Sequence, residues 1–297
     1  MANFELPDHL IETLSLVLKQ LHQTLPEVHQ EPDFDAPAFK WHHHQLKPIY
    51  QPKQMYLEDL LGIDTQKQKI IQNTLQFLEG LPANDILLTG SRGTGKSSIV
   101  RPLLTQYADR GLRLIEIERD DLSDLPLIQK IIQDRPEKFI VYCDDLAFNA
   151  EDENYRSLKS VLDGSLQSGS TNFIIYATSN RRHLLPEFMH ENTPVTKVDV
   201  PQYTELHPQE AIEEKISLSD RFGLWLSFYP MNQVLYLEIV EHYIKKSGLE
   251  YNDEVRAENL RWCQLRGQRS GRAAYQFSKH WIGAEQLQQK LYITSLH

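Results

Sequence analysis

The 297-residue sequence is short of cysteine, of long apolar runs and of positive charge. Its two cysteines, Cys143 and Cys263, are too few for a disulfide framework or a metal knuckle, and Cys143 lies in an apolar run that reads as a buried strand. Apolar runs such as Phe139 to Cys143 fall far below the roughly 18 residues of a membrane helix, so no membrane partner is expected. Glu5, Asp8 and Glu12 stand where a signal peptide carries basic residues, which points to the cytoplasm. Internal repeats and low-complexity tracts are absent. With 31 basic against 41 acidic residues the net charge is -10, which excludes a phosphate-binding surface over the whole molecule and makes nucleic acid a possible but not a favoured partner.

What is present is an ordinary globular composition, 40% hydrophobic and 24% charged, at a length that suits one large domain with a subdomain. The charge is uneven: residues 231–297 hold nine bases against seven acids, a basic end on an acidic chain that calls for an anionic ligand or partner. Three regions follow. In residues 1–53, Leu10, Ile11, Leu14, Val17, Leu18, Leu21 and Leu25 share one face of an amphipathic helix over 8–25 with Asp8 as N-cap. Five prolines and the run His42-His43-His44 then interrupt any period from Pro26 to Pro52, so that stretch reads as an extended arm, its histidines solvated rather than metal-bound. Residues 54–230 alternate strands at Asp85–Thr89, Leu112–Ile117, Lys138–Cys143, Phe173–Thr178 and Gly223–Phe228 with helical patterns. This is the signature of a five-stranded parallel sheet in a doubly wound α/β core. Residues 231–297 carry helical patterns at Asn232–Lys246, Asp253–Leu265 and Gly271–Trp281, a small all-helical subdomain.

Gly90-Ser91-Arg92-Gly93-Thr94-Gly95-Lys96-Ser97 fits G-x-x-x-x-G-K-[ST] between a strand and a helix expected from about Lys96. Glycines let backbone N–H groups curl around phosphate oxygens, and the helix N-terminus adds partial positive charge. Lys96 then reaches the β and γ phosphates, and the Ser97 hydroxyl ligates Mg²⁺. The strand Phe139 to Cys143 delivers Asp144 and Asp145 at its carboxyl end, where ligands bind in such sheets. Asp144 is the expected magnesium partner and Asp145 the candidate general base. Asn180, at the tip of the fourth strand, either holds the attacking water or simply forms a turn. Arg221, before the fifth strand, either leaves its own subunit or pairs with Asp220 or Glu214. Arg272 opens the last helix, where a cation opposes the macrodipole unless an anion is near. Arg181, Arg182 and His183 read as structural.

In this order the motifs resemble those of AAA+ ATPases: Walker A at 90–97, Walker B at 139–145, a sensor-1-like Asn180, an arginine-finger-like Arg221 and a sensor-2-like Arg272. Leu61-Gly62-Ile63-Asp64, Arg92 to Ser98, Cys143-Asp144-Asp145-Leu146 and Ala177 to His183 look further like a bacterial family of predicted ATPases with a domain of unknown function. The resemblance implies ATP and Mg²⁺ as ligands, held by the loop through Ser98 with Gly62 and Ile63 beside the adenine. It also implies an α/β P-loop core under a helical lid, with assembly into a homo-oligomer in which one subunit's arginine completes the next subunit's site. One departure stands out: most members end Walker B in Asp-Glu, whereas Asp145 is shorter by one methylene, about 1.5 Å, which implies slow or partner-stimulated hydrolysis. Neither an Asn-Lys-x-Asp nor a Leu-Ser-Gly-Gly-Gln string occurs, which disfavours a GTPase or a transporter cassette. The expected function is ATP-driven remodelling or loading of an unknown macromolecular partner. The rivals are a nucleotide-controlled binding module with little turnover and a DNA-associated loader.

Overall fold

The computed structural model describes residues 32–148, 153–163, 172–180, 220–267 and 269–295. The helix expected over 8–25, the Arg181-Arg182-His183 string and Glu214 lie outside the described residues. Phe34–His297 form one compact unit.

Among the described residues seven strands make one sheet in the order β2-β1-β4-β5-β6-β3-β7. The five expected strands are all there: β3 (Ile86–Gly90), β4 (Leu112–Ile117), β5 (Lys138–Cys143), β6 (Phe173–Ser179) and β7 (Leu224–Phe228). They are mutually parallel. Because successive side chains point to opposite faces, odd and even positions separate into two cores. Leu87, Ile115, Val141 and Ile175 lie in one, and Ile86, Leu114, Ile140 and Ile174 in the other. Helix α1 (Asp64–Leu78) buries Ile70, Asn73, Thr74 and Phe77 at helical spacing, and Ile70 and Phe77 join the second core. Helix α3 (Leu125–Ile132) buries Leu125, Ile128 and Ile132 against the first. Between them in the chain comes α2 (Arg101–Tyr107).

The extra two strands correct the reading of 26–53 as an extended arm. β1 (Ala38–His42) runs parallel to β4 and antiparallel to β2 (Gln45–Ile49), extending the sheet by a hairpin. Phe39 and Trp41 alternate with exposed Lys40 and are fully buried. Pro48 is tolerated because β2 is the outermost strand, with no further neighbour for a backbone donor to serve. His43 and His44 occupy the two-residue turn at φ 50° and 58°, the left-handed pair that a tight hairpin requires. Asp124 accepts hydrogen bonds from Trp41 Nε1 and lies against His44 Nδ1, both at 2.9 Å, which fastens the hairpin to the start of α3.

The lid is three helices, α5 (Gln233–Lys246), α6 (Asp253–Arg266) and α7 (Gly271–Ser295), around a third core of Tyr236, Ile239, Val240, Cys263, Ala274 and Phe277. Asn232 and Asn252 cap the first two through side-chain oxygens that accept from Leu235 N and Val255 N. The third helix runs past Trp281 to Ser295, farther than the expected Gly271–Trp281, with the glycine at 283 inside it. Helix α4 (Glu153–Leu162) follows the Walker B strand.

Asp85, at the foot of β3, accepts the Ile175 amide at 2.6 Å, yet burial pushes its carboxyl up to about 6. The charged form is the disfavoured one in the fold, so the stability Asp85 contributes is present below its unfolded value and is lost as pH rises through about 6. Asp85→Asn, which keeps the acceptor without the charge, is expected to raise the melting temperature at pH 8 and much less at pH 4, near the carboxyl's unfolded value. The gain at pH 8 is on the order of 3 kcal/mol. Equal gains at the two pH values would show that the charge is not the cause.

Candidate functional site

The parallel strands deliver their carboxyl ends to one edge of the sheet, and the glycine-rich loop leaves β3 there. Gly93 and Gly95 adopt φ 80° and 101°, which only glycine occupies freely. A Cβ on Gly90 would sit 2.2 Å from the Phe228 carbonyl oxygen, so the loop can pass β7 only without a side chain. Regular helix begins at Arg101 rather than near Lys96: tight turns closed by Ser98 N to Gly95 O (3.1 Å) and Ile99 N to Lys96 O (3.4 Å) carry the chain into α2.

Lys96 is buried. Its ammonium donates to the Gly90 and Ser91 carbonyls at 2.6 and 2.8 Å and to Asn180 Oδ1 at 3.0 Å. Burial lowers its pKa, and Asp144 and Asp145 oppose that shift. Thr94 folds its hydroxyl onto the Ser91 carbonyl at 2.9 Å. Ser97 donates to Asp144 Oδ1 at 2.7 Å, joining the two motifs across 47 residues of sequence. The same oxygen accepts from Tyr142 Oη at 3.0 Å and Thr178 Oγ1 at 2.6 Å. Desolvation raises the Asp144 pKa, but the hydrogen bonds from Thr178, Ser97 and Tyr142 outweigh it, and the net shift is downward.

Asp145 is exposed and left-handed, at φ 57°. Asn180 Nδ2 donates to its Oδ1, and Arg92 lies 3.8 Å from its Oδ2. An open cavity of about 450 Å³ reaches both carboxylates and gives water access to Asp145. Its cations are each held by an acid: Lys40 by Glu118, Arg101 by Glu116, Arg119 by Asp120. Neighbouring Cys143 has its thiol pushed up to about 12 by burial and is no nucleophile at neutral pH.

The lid meets the core at two points near the loop. Gly271 N donates to the Gly93 carbonyl at 3.0 Å, setting exposed Arg272 in the first helical turn beside the loop. Gly62 at φ 73° packs so tightly on Leu235 of α5 that an added Cβ would come within 2.3 Å, and Ile63 reaches toward Gly95. Arg221 is not part of this cluster. It precedes β7, at the opposite edge of the sheet from the loop, and donates through Nε to Asp163 rather than pairing with Asp220 as one alternative had it. Thr178 and Tyr142, which sequence reasoning passed over, are strand hydroxyls spaced two residues before Asn180 and Asp144 and therefore on their face.

The model of a protein family described as "Protein of unknown function (DUF815)" matches residues 34–285. The chain belongs to this family. Over the matched span the chain folds as a P-loop α/β core, with the G-x-x-x-x-G-K-[ST] loop after β3, the Asp144-Asp145 pair after β5 in a parallel sheet, and helices at the carboxyl end. The Holliday junction branch migration motor RuvB of Thermotoga maritima is similar at 13% identity over 77% of this chain and 72% of that one, with a TM-score of 0.44. AMPPCP-bound DnaA from Aquifex aeolicus is similar at 17% identity over 76% of this chain and 63% of that one, with a TM-score of 0.48. No curated protein matches the sequence. Among the described residues no helix is long and apolar enough to cross a membrane.

Proposed function

We propose that this protein binds ATP with Mg²⁺ and hydrolyses it, using the nucleotide state to change its hold on a macromolecular partner, most simply another protein. The observation that carries the reading is the meeting of Ser97 with Asp144 beside the buried Lys96. The donors there are hydroxyl and carboxylate oxygens, the chemistry Mg²⁺ prefers, with one carboxylate and the phosphates completing its needs. Ser97 and Asp144 would hold the ion, which neutralises phosphate charge when bound. Lys96 would turn from the Gly90 and Ser91 carbonyls to phosphate oxygens. The backbone of Gly90 to Ser98 would wrap the phosphates, with Gly62 and Ile63 against the adenine. Asp145 would take the proton of the attacking water that Asn180 orients, and Arg272 would meet phosphate from the lid. Phosphate release from ATP with and without Mg²⁺ tests this: release that needs the ion supports it, and failure to bind ATP overturns it.

A second reading, a binding module with slow turnover, draws on the Asn180 tie to Asp145, which holds the short carboxylate back. Turnover that is slow alone and rises on adding cell extract would favour it.

Arg221 is proposed to serve a neighbouring copy in a homo-oligomer, since within its own chain it stands away from the loop and is steadied by Asp163. Mixing inactive Arg221→Ala with inactive Lys96→Ala should restore about a quarter of parental turnover, because one random interface in four joins an intact loop to an intact arginine. No recovery from proteins that co-assemble would leave Arg221 structural.

A further inference from the structure

The Walker B turn has a feature that the two carboxylates do not themselves explain. After Cys143, paired with Ala177 in the β5–β6 ladder, the chain leaves regular strand and Asp145 flips to φ 57°. Three bonds from one residue hold that flip. Thr178 Oγ1 donates to Asp144 Oδ1 at 2.6 Å, accepts the Asp145 amide at 2.9 Å, and its carbonyl accepts the Leu146 amide at 2.6 Å. Thr178 is 1% exposed, so no water can replace it. A hydroxyl has one proton. With that proton given to Asp144 and a lone pair committed to Asp145 N, the polarity of the contact is fixed and the two acids are held in one mutual orientation. β-branching limits the side-chain rotamers and keeps the hydroxyl in place.

We infer that Thr178 is a positioning residue of the nucleotide site: its hydroxyl sets the Asp144 carboxylate for the magnesium ion and holds the left-handed backbone that aims Asp145. The inference rests on the ATPase reading above. It separates two jobs on one strand. Asn180 at the tip contacts the Asp145 side chain, whereas Thr178, two residues earlier on the same face, contacts the Asp144 side chain and the Asp145 backbone and would touch neither water nor phosphate.

The test compares Thr178→Val, which keeps the shape and loses the hydroxyl, with Thr178→Ser, which keeps the hydroxyl and loses a buried methyl. Fluorescent ADP is titrated with and without Mg²⁺, kcat and KM are measured for ATP, and melting is followed for each protein. Thr178→Val should bind nucleotide like the parent without Mg²⁺, lose about tenfold of the Mg²⁺-dependent gain in affinity, and lose about 10- to 100-fold in kcat with a smaller change in KM. Thr178→Ser should stay within about threefold of the parent on every functional readout while melting no higher than Thr178→Val, since the lost methyl is a packing loss. A packing role predicts the reverse order of function. Parental values in folded Thr178→Val, or equal losses in the two variants, would overturn the inference alone. A parent that binds no nucleotide would overturn the ATPase reading and this inference with it.

Discussion

Lys96→Ala is expected to weaken binding of a fluorescent ATP analogue by about 100-fold, the worth of two charge-assisted hydrogen bonds to phosphate at roughly 1.5 kcal/mol each. The ammonium is the buried cation of the loop and sits where β3 ends, and its present acceptors are two carbonyls of the same loop and Asn180. Carbonyls are weaker acceptors than phosphate oxygens, so exchange of one set for the other is favourable. The buried position also lowers the cost of desolvating Lys96 on binding, since part of it is already met in the fold. Alanine strands three acceptors, and the loop could loosen. Melting without nucleotide therefore accompanies the titration, and a variant that melts like the parent yet binds weakly assigns the loss to the ligand contact. Unchanged affinity would make the glycine-rich loop a structural turn.

The core strands were legible because parallel strands buried on both faces are short, apolar and bounded by turns. β4 and β5 begin and end where the pattern puts them, and the ends of β3, β6 and β7 differ from it by no more than one residue. The hairpin was not legible for a local reason. Its burial signal is Ala38, Phe39, Trp41 and Leu46, flanked by prolines and three histidines, and residues at φ 50° and 58° leave no composition cue unless they are glycine or asparagine. The site divides the same way. The loop and the Asp144-Asp145 pair are contiguous strings whose spacing carries chemistry. By contrast, Arg221 and Asp163 are 58 residues apart and meet only through the fold. Thr178 and Tyr142 look in sequence like ordinary strand formers, and only the register of β5 on β6 shows that their hydroxyls meet Asp144. The backbone of Asp145 is likewise a tertiary fact, and it changes the meaning of a residue that seemed merely short. A left-handed position is tolerated by aspartate better than by glutamate, so the shorter acid suits the turn that Thr178 holds.

Asp145→Asn should bind the ATP analogue within about threefold of the parent and lose about 10²- to 10⁴-fold in phosphate release, the usual contribution of a positioned base. The two expectations separate because asparagine keeps an oxygen to accept from Asn180 Nδ2 and tolerates φ 57° as well as aspartate does, leaving Ser97, Asp144 and Thr178 undisturbed. The 3.8 Å contact with Arg92 is lost, but both partners are exposed, and such a pair is worth little. Asp145→Glu sharpens the argument. If carboxylate reach limits the rate, the added methylene of about 1.5 Å should speed turnover. If the left-handed turn limits it, glutamate strains the backbone, moves the carboxylate off the water and slows turnover. The bond network at Thr178 favours the second outcome, with Asp145→Glu below the parent and above Asp145→Asn. Turnover above the parent in Asp145→Glu would show that reach is the limit, and equal turnover in Asp145→Asn and the parent would move the base to another residue.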